Sequence, residues 1–160
     1  MKIISHRGNI KGPIPDKENR PSYIDCALQL GLDVEVDIRY IDGKFLLGHD
    51  TPDFVINEAW ILQRKDALWF HCKNLDAALS LKAMNTQMKY FCHTSDPFVP
   101  TSTNHFWVHD LTNNLTCECI IPLLGEQDIH NFKKQDVYGI CTDYVTLCEG
   151  VFLSTKVATS

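Results

Sequence analysis

The sequence predicts an α/β fold built on a parallel sheet. Three observations carry that expectation. Short apolar runs with strand character alternate with segments of helical spacing along most of the chain. Several of those runs are apolar almost throughout, as strands covered on both faces are. Polar and ionisable residues collect at the C-terminal ends of the same runs, where open and closed parallel sheets carry their chemistry.

The elements follow in order. Residues 2–5 open the chain as a short apolar strand, and the loop behind it carries Gly8, Gly12, Pro13 and Pro15. Ser22 has the chemistry of an N-cap, with Asp25 three residues on completing a capping box. Ile24, Ala27 and Leu28 keep helical spacing until Gly31, a natural stop. Residues 32–39 alternate. Val34, Val36 and Ile38 take one face; Asp33, Glu35, Asp37 and Arg39 take the other. Asp42-Gly43 marks a tight turn into a hairpin arm at 45–47. A short helix is predicted over 59–63 and a buried strand over 68–72. Asn74 caps a helix over 75–84, with Leu75, Ala78 and Leu79 facing inward. Four more strands are predicted at 90–92, 106–108, 119–121 and 138–141. Some segments between them are rich in Thr, Asn and Ser and show no helical period. There is no internal repeat, linker or low-complexity tract. One domain is expected over 1–153, with 154–160 a frayed tail.

Seven strands and a hairpin arm in 160 residues leave about 20 residues per unit of an eightfold barrel. A closed barrel of that type usually takes ~250 residues. The expectation is therefore a compact, irregular TIM-type (β/α) barrel whose helices are shortened or missing.

Composition narrows the function. Hydrophobic residues make up 44% and charged residues 22% of the 18.3 kDa chain, which are globular proportions. Fifteen Lys and Arg against twenty Asp and Glu give net −5, which excludes a broad basic surface for nucleic acid. No apolar run approaches the ~20 residues that span a bilayer. The opening Met1-Lys2-Ile3-Ile4-Ser5-His6 turns polar too soon for a signal peptide. Seven cysteines, an odd number, then point to reduced thiols and a cytoplasmic location. Cys117 and Cys119 form a C-x-C pair with no second pair at zinc spacing, so no structural zinc is expected.

The chemistry collects at four places. His6-Arg7 follows the first strand. Glu35 and Asp37 lie two apart and share a strand face. Gly48-His49-Asp50 ends the hairpin arm, and His71 and Lys73 end the strand at 68–72. Paired carboxylates suit a hard divalent cation, two histidines suit an acid and a base, and Arg7 with Lys73 suits an anion such as phosphate. Asp50 reads as capping its own turn and Trp107 as core. His93 ends a strand as the catalytic candidates do; His105, His109 and His130 read as surface or loop residues.

His6-Arg7-Gly8, Glu18-Asn19, Ala27, Gly31, Glu35-x-Asp37, Asp42-Gly43 and His49-Asp50 together resemble the signature of the glycerophosphodiester phosphodiesterases, H-R…E-N…E-x-D…D-G…H-D. Phosphatidylinositol-specific phospholipases C and the spider-venom phospholipases D belong to the same barrel superfamily. His71-Cys72-Lys73 stands where that family has Glu-x-Lys or Asp-x-Lys. Gly139-Ile140-Cys141-Thr142-Asp143-Tyr144 resembles its last strand, G-I-x-T-D. The resemblance implies a metal-dependent phosphodiester hydrolase for a glycerophosphodiester or related lipid-headgroup diester. It makes Glu35 and Asp37 metal ligands, His6 and His49 the acid/base pair, Arg7 and Lys73 phosphate-binding residues, and Glu18 a polar site residue. The implied cofactor is one divalent cation, Mg²⁺ or Ca²⁺. His71 stands in a carboxylate's place: as a third ligand it moves the preference toward Mn²⁺ or Zn²⁺, and the alternative is that it hydrogen-bonds the substrate while the metal keeps two protein ligands. The implied partner is a small diester, with no nucleic acid and no transmembrane segment; the oligomeric state stays open. The alternative is a non-catalytic relative that keeps the anion site. A metal-dependent nuclease is disfavoured by the net charge and by the lack of interleaved aromatic and basic residues.

Overall fold

A computed structural model describes residues 1–84 and 87–153. The tail expected at 154–160 lies outside the described residues. Ten strands form one curled sheet: β1 Lys2–His6, β2 Asp33–Ile41, β3 Lys44–Leu47, β4 Phe54–Ile56, β5 Leu68–Cys72, β6 Lys89–Phe91, β7 Phe98–Pro100, β8 Phe106–Val108, β9 Cys119–Pro122 and β10 Gly139–Thr142. Five helices accompany them: α1 Pro21–Gln29, α2 Glu58–Arg64, α3 Leu75–Ala83, α4 Glu126–Asn131 and α5 Val145–Phe152. The parallel staves run β6-β5-β2-β1-β10-β9-β8. The β3–β4 hairpin and β7 are antiparallel additions. This is a mixed α/β fold and a partial TIM-type barrel. The helices are six to nine residues long, and none is described between β8 and β9.

β2 organises the sheet. Its nine residues take β1 beside their start, β3 beside their end and β5 along the middle. Val34, Val36 and Ile38 point outward into the layer shared with the helices. Its acidic residues point inward, as the alternation predicts. The hairpin turn is as expected: Asp42 and Gly43 both have positive φ, 49° and 75°.

A smaller core fills the inside of the curl. Ile4, Trp69, Phe91, Val99, Trp107, Ile120 and Cys141 each come from a different strand. Phe91 stacks on Trp107 at 4.2 Å, and Trp69 lies 6.2 Å from Trp107. Below them Asp33 is held by the Lys2 ammonium at 2.8 Å, the Lys89 ammonium at 3.0 Å and the Trp69 indole N–H at 3.0 Å. Among the described residues no ladder joins β6 to β7 or β8. Ser102 laces that seam: its N–H donates to the Tyr90 carbonyl at 2.9 Å and its hydroxyl donates to that of Met88 at 2.6 Å. The same hydroxyl accepts from the Tyr90 N–H at 2.8 Å.

Two local expectations are corrected. Ser22 is not an N-cap. Pro21 occupies the first helical turn of α1, where its missing N–H costs nothing, so Arg20 becomes the N-cap. Asp25 pairs with Arg64 at 2.7 Å instead of closing a capping box. In α3, Leu75 and Leu79 are exposed, and the inward stripe is Ala77, Ala78 and Leu81. The cap sets this rotation. The Asn74 side chain accepts from the Ala77 N–H and also exchanges two hydrogen bonds with the Tyr40 backbone, which fixes positions 74, 77, 78 and 81 against the sheet. The short β4, β7, α4 and α5 carry no clear period and are additions to the expected set.

The Asp33 network gives a pH-dependent prediction. Burial disfavours its charge, but Lys2, Lys89 and Trp69 outweigh burial and hold its carboxyl below the ordinary 3.8. Burial of Lys89 lowers its ammonium despite Asp33, so both partners shift down, Asp33 toward its charged form and Lys89 toward its neutral one. The donors on both Asp33 oxygens favour the ionised network at neutral pH. Its stabilisation is full above the ordinary Asp value and is lost as pH falls through the lowered one. Asp33→Ala is expected to cost about 3 kcal/mol at pH 7, because the buried indole N–H loses its partner and the Lys89 ammonium keeps only the Asp66 carbonyl. Urea unfolding at pH 7 and again well below 3.8 measures this; the gap to wild type should narrow at the lower pH.

Candidate active site

Strand register assembles the site. His6 is opposite Glu35 in the β1–β2 ladder, and Asp37 is opposite His71 in the β2–β5 ladder. All four side chains thereby enter the curl at the C-terminal ends of neighbouring strands. Glu35 and Asp37 are 2% and 0% exposed. His6 Nδ1 lies 2.8 Å from Asp143 Oδ1, and its Nε2 is 3.8 Å from Glu35 Oε2. His71 Nδ1 lies 3.1 Å from Asp37 Oδ1 and 3.7 Å from Glu35 Oε1. Its Nε2 is 3.1 Å from the His93 carbonyl. A carbonyl only accepts, so that nitrogen carries the proton and Nδ1 of neutral His71 turns its lone pair to the carboxylates.

The loop after β1 braces this cluster. Arg7 and Asn19 both adopt left-handed backbone, with φ of 55° and 59°. Such conformations cost about 1 kcal/mol or more for residues with a Cβ and gather at functional sites. Asn19 clamps Asp37 with two hydrogen bonds: its amide donates to Oδ2 at 2.9 Å, and its oxygen accepts the Asp37 N–H at 2.9 Å. Arg7 reaches Asp37 Oδ2 at 2.9 Å through Nε and Glu18 Oε2 at 3.1 Å through Nη1. Asn9 bridges Glu18 Oε1 at 2.9 Å and Asp143 Oδ1 at 2.8 Å. Glu18 thus stands behind Arg7 and Asn9.

His49 and Lys73 stand at the rim. Lys73 Nζ is 3.7 Å from Asp37 Oδ1. The His49 ring is 39% exposed and lies 2.8 Å from Asp50 Oδ1, so Asp50 bonds a ring and not the turn backbone expected of it. Arg39 holds the hairpin end by donating to the carbonyls of Gly48 at 2.5 Å and His49 at 2.7 Å. Gly48 has φ of +144°, and a Cβ there would collide with the Thr51 carbonyl.

A cavity of about 160 Å³ runs inward from this cluster, between His6, Arg7, Glu35 and His71 on one side and Phe91 and Trp107 on the other. His49, His93 and His109 also line it. His109, expected on the surface, stacks on His93 at 3.8 Å. Burial, with His93 and His71 nearby, brings its imidazole down to about 4. His105 packs against Tyr138 and Trp69, and His130 is exposed on α4. A wider groove of about 710 Å³ continues past His49, His71 and His93 to Lys73 and Cys92.

The two carboxylates titrate apart. Burial pushes Glu35 up, and Asp37 adds to the push. Burial acts on Asp37 too, but contact with His71, Arg7 and Asn19 outweighs it and holds that carboxyl well below the usual range. Burial disfavours charged His6 and His71, yet Asp143 and Glu35 raise the first and Asp37 and Glu35 the second. A hydrogen bond with Cys72 brings the Cys92 thiol down to about 6.

The residues fit a divalent cation. Among the described residues, Glu35 Oε2 and Asp37 Oδ1 are buried with no hydrogen-bond partner; the close His71 approach lacks the alignment of one. One ligand atom each from Glu35, Asp37 and His71 lie within 4.8 Å of one another. Metal-bound histidines commonly donate their other ring N–H to a backbone carbonyl, as His71 does to His93.

The sequence matches no family model, and no curated protein matches it. Among solved structures the chain is similar to the glycerophosphodiester phosphodiesterase from Agrobacterium tumefaciens str. C58, with a TM-score of 0.59 and 16% identity over 94% of this chain and 99% of that one. The likeness is one of fold. No helix among the described residues is long and apolar enough to cross a membrane.

Sequence reasoning assigned no role to Asn9, Asn19 and Asp143 and placed His109 elsewhere. Asn19 and Asp143 lie inside motifs quoted above, so their place beside Glu18 and Thr142 was a usable signal. Asn9 and His109 had none, because only the folded loops bring them in. Two substitutions test the electrostatics in metal-free protein. Asn19→Ala is expected to lower unfolding stability by about 2 kcal/mol, since the lost bonds serve a buried carboxylate. Glu35→Gln is expected to raise it by about 1 kcal/mol, by removing one of two buried like charges. Urea titrations in EDTA at pH 7 read both, and a loss in Glu35→Gln would show that His6 and His71 already neutralise the pair.

Proposed function

We propose that this chain is a metal-dependent phosphodiester hydrolase acting on a glycerophosphodiester or related lipid-headgroup diester by histidine acid/base catalysis. The observation that carries the reading is the pair of buried, unpartnered carboxylate oxygens on Glu35 and Asp37, set against His71 and opening on a cavity lined by His6 and Arg7. The fold it shares with a phosphodiesterase adds support.

Glu35, Asp37 and His71 would hold the cation. Bound there, a divalent ion supplies Lewis-acid polarisation of a phosphoryl oxygen. The protein's own groups do the rest. Asp143 accepts from Nδ1 of His6, which leaves Nε2 facing the cavity to take the nucleophile's proton. His49, at the solvent-facing rim, gives a proton to the leaving oxygen. Arg7 and Lys73 offset the phosphate charge. Asp143, Asn19 and Arg39 are positioning residues for His6, Asp37 and His49. The cavity's size admits a small polyol headgroup.

Glu35→Ala and Asp37→Ala should each weaken Mn²⁺ binding in calorimetric titration and remove most hydrolysis of bis-(p-nitrophenyl) phosphate. His71→Ala should weaken every divalent ion, and His71→Glu should turn preference toward Mg²⁺ or Ca²⁺. Wild-type affinity in both carboxylate variants would remove the metal centre. Metal binding without EDTA-sensitive turnover would leave a non-catalytic phosphate-binding protein. His49→Ala should lose about 10²-fold or more with an alkoxide leaving group and far less with p-nitrophenolate. Equal losses would take the acid role from His49.

A further inference from the structure

A pair of thiols sits in the wall of the site and takes no part in the chemistry above. The β5–β6 ladder pairs Trp69 with Lys89, Phe70 with Tyr90 and His71 with Phe91, and Cys72 and Cys92 each follow that last rung by one residue. Neighbouring strands lie about 4.8 Å apart. That spacing is within the ~4.4–6.8 Å window of Cα separations that disulfides span. Cys72 is buried and Cys92 exposed, and both line the open groove, so an oxidant meets Cys92 first.

We propose that Cys72 and Cys92 form a reversible dithiol–disulfide pair, and that closing it displaces His71 from Glu35 and Asp37. His71 precedes Cys72 in the chain. Its two anchors flank Cys92: its ring stacks on Phe91 at 4.9 Å, and its Nε2–H donates to the His93 carbonyl at 3.1 Å. Covalent closure brings the sulfurs to about 2.05 Å. Any adjustment at 72 or 92 on closure passes directly to residues 71, 91 and 93, which set and hold the His71 ring. The step balances with a peroxide. Cys92 attacks one oxygen and becomes a sulfenic acid as the O–O bond breaks and releases hydroxide. Cys72 then attacks that sulfur, the S–S bond forms, and water leaves. Two thiols and one peroxide give one disulfide and two waters, and a dithiol reductant reverses it. The effect on metal binding rests on the hydrolase reading; the cross-link and the shift of His71 do not.

The experiment treats the folded full chain with hydrogen peroxide, blocks remaining thiols and digests with trypsin. A disulfide joins the peptide 66–73 to the peptide 90–133. The cross-link is expected in wild type, absent in Cys92→Ser and Cys92→Ala, and gone after dithiothreitol. Thermal melts confirm that the variants fold. The His71 imidazole resonances should move on oxidation of wild type and stay in place in Cys92→Ser. Mn²⁺ affinity should fall about tenfold on oxidation and recover on reduction. Oxidation of Cys92 to sulfinic acid without the cross-link would overturn the pair. A cross-link with unmoved His71 resonances would overturn the switch. A reduced wild type that neither binds Mn²⁺ nor turns over counts against the hydrolase reading alone.

Discussion

Two carboxylates buried two residues apart on one strand repel each other across a few ångströms of low-dielectric interior. Much of the upper half of this molecule is arranged around that repulsion. Glu35 and Asp37 point into the curl and are 2% and 0% exposed, so bulk water does little to screen one from the other. Asn19 gives Asp37 two hydrogen bonds, Arg7 lies against its second oxygen, and His71 and Lys73 approach the first. Even so, one oxygen on each carboxylate keeps no hydrogen-bond partner among the described residues. The left-handed backbone at Arg7 and Asn19 belongs to the same arrangement, for both residues turn their side chains to Asp37.

The lower half solves the opposite problem. Asp33 is the third inward acid of β2, but it meets two ammonium groups and an indole N–H. A single strand therefore carries a satisfied acid at its base and unsatisfied ones at its top. The aromatic layer of Trp69, Phe91 and Trp107 separates the two environments. Unsatisfied and satisfied acids are thereby kept on different levels of the same curl.

Much of this was legible in the sequence where a period or a cap made it so. The alternation of 32–39 gave β2 and its acidic face, and Asp42-Gly43 gave the hairpin. His6, Glu35, Asp37 and His71 all lie in the quoted motifs, and the strand ladders make them neighbours. Rotational detail was not legible. α3 presents Ala77, Ala78 and Leu81 and not its leucines at 75 and 79, because Asn74 is tied to Tyr40, a contact far apart in sequence. Three-residue strands such as β4 and β7 are too short to show a period and exist because a neighbouring strand pairs with them. His109 comes to the site through the stack on His93, which no local pattern encodes.

The seam at Ser102 divides the rim into unequal parts. β1, β2, β5 and β10 are joined by continuous ladders, and they carry the carboxylates, His6 and His71. Among the described residues the opposite wall, from β6 across to β8, is tied by the hydrogen bonds of Ser102 alone. Segments crossed by few hydrogen bonds open at the lowest free-energy cost. His93 and His109 stand on that side, each just beyond a strand bordering the seam. The curl is thus laced densely around the buried charges and sparsely, among the described residues, where the second pair of imidazoles stands.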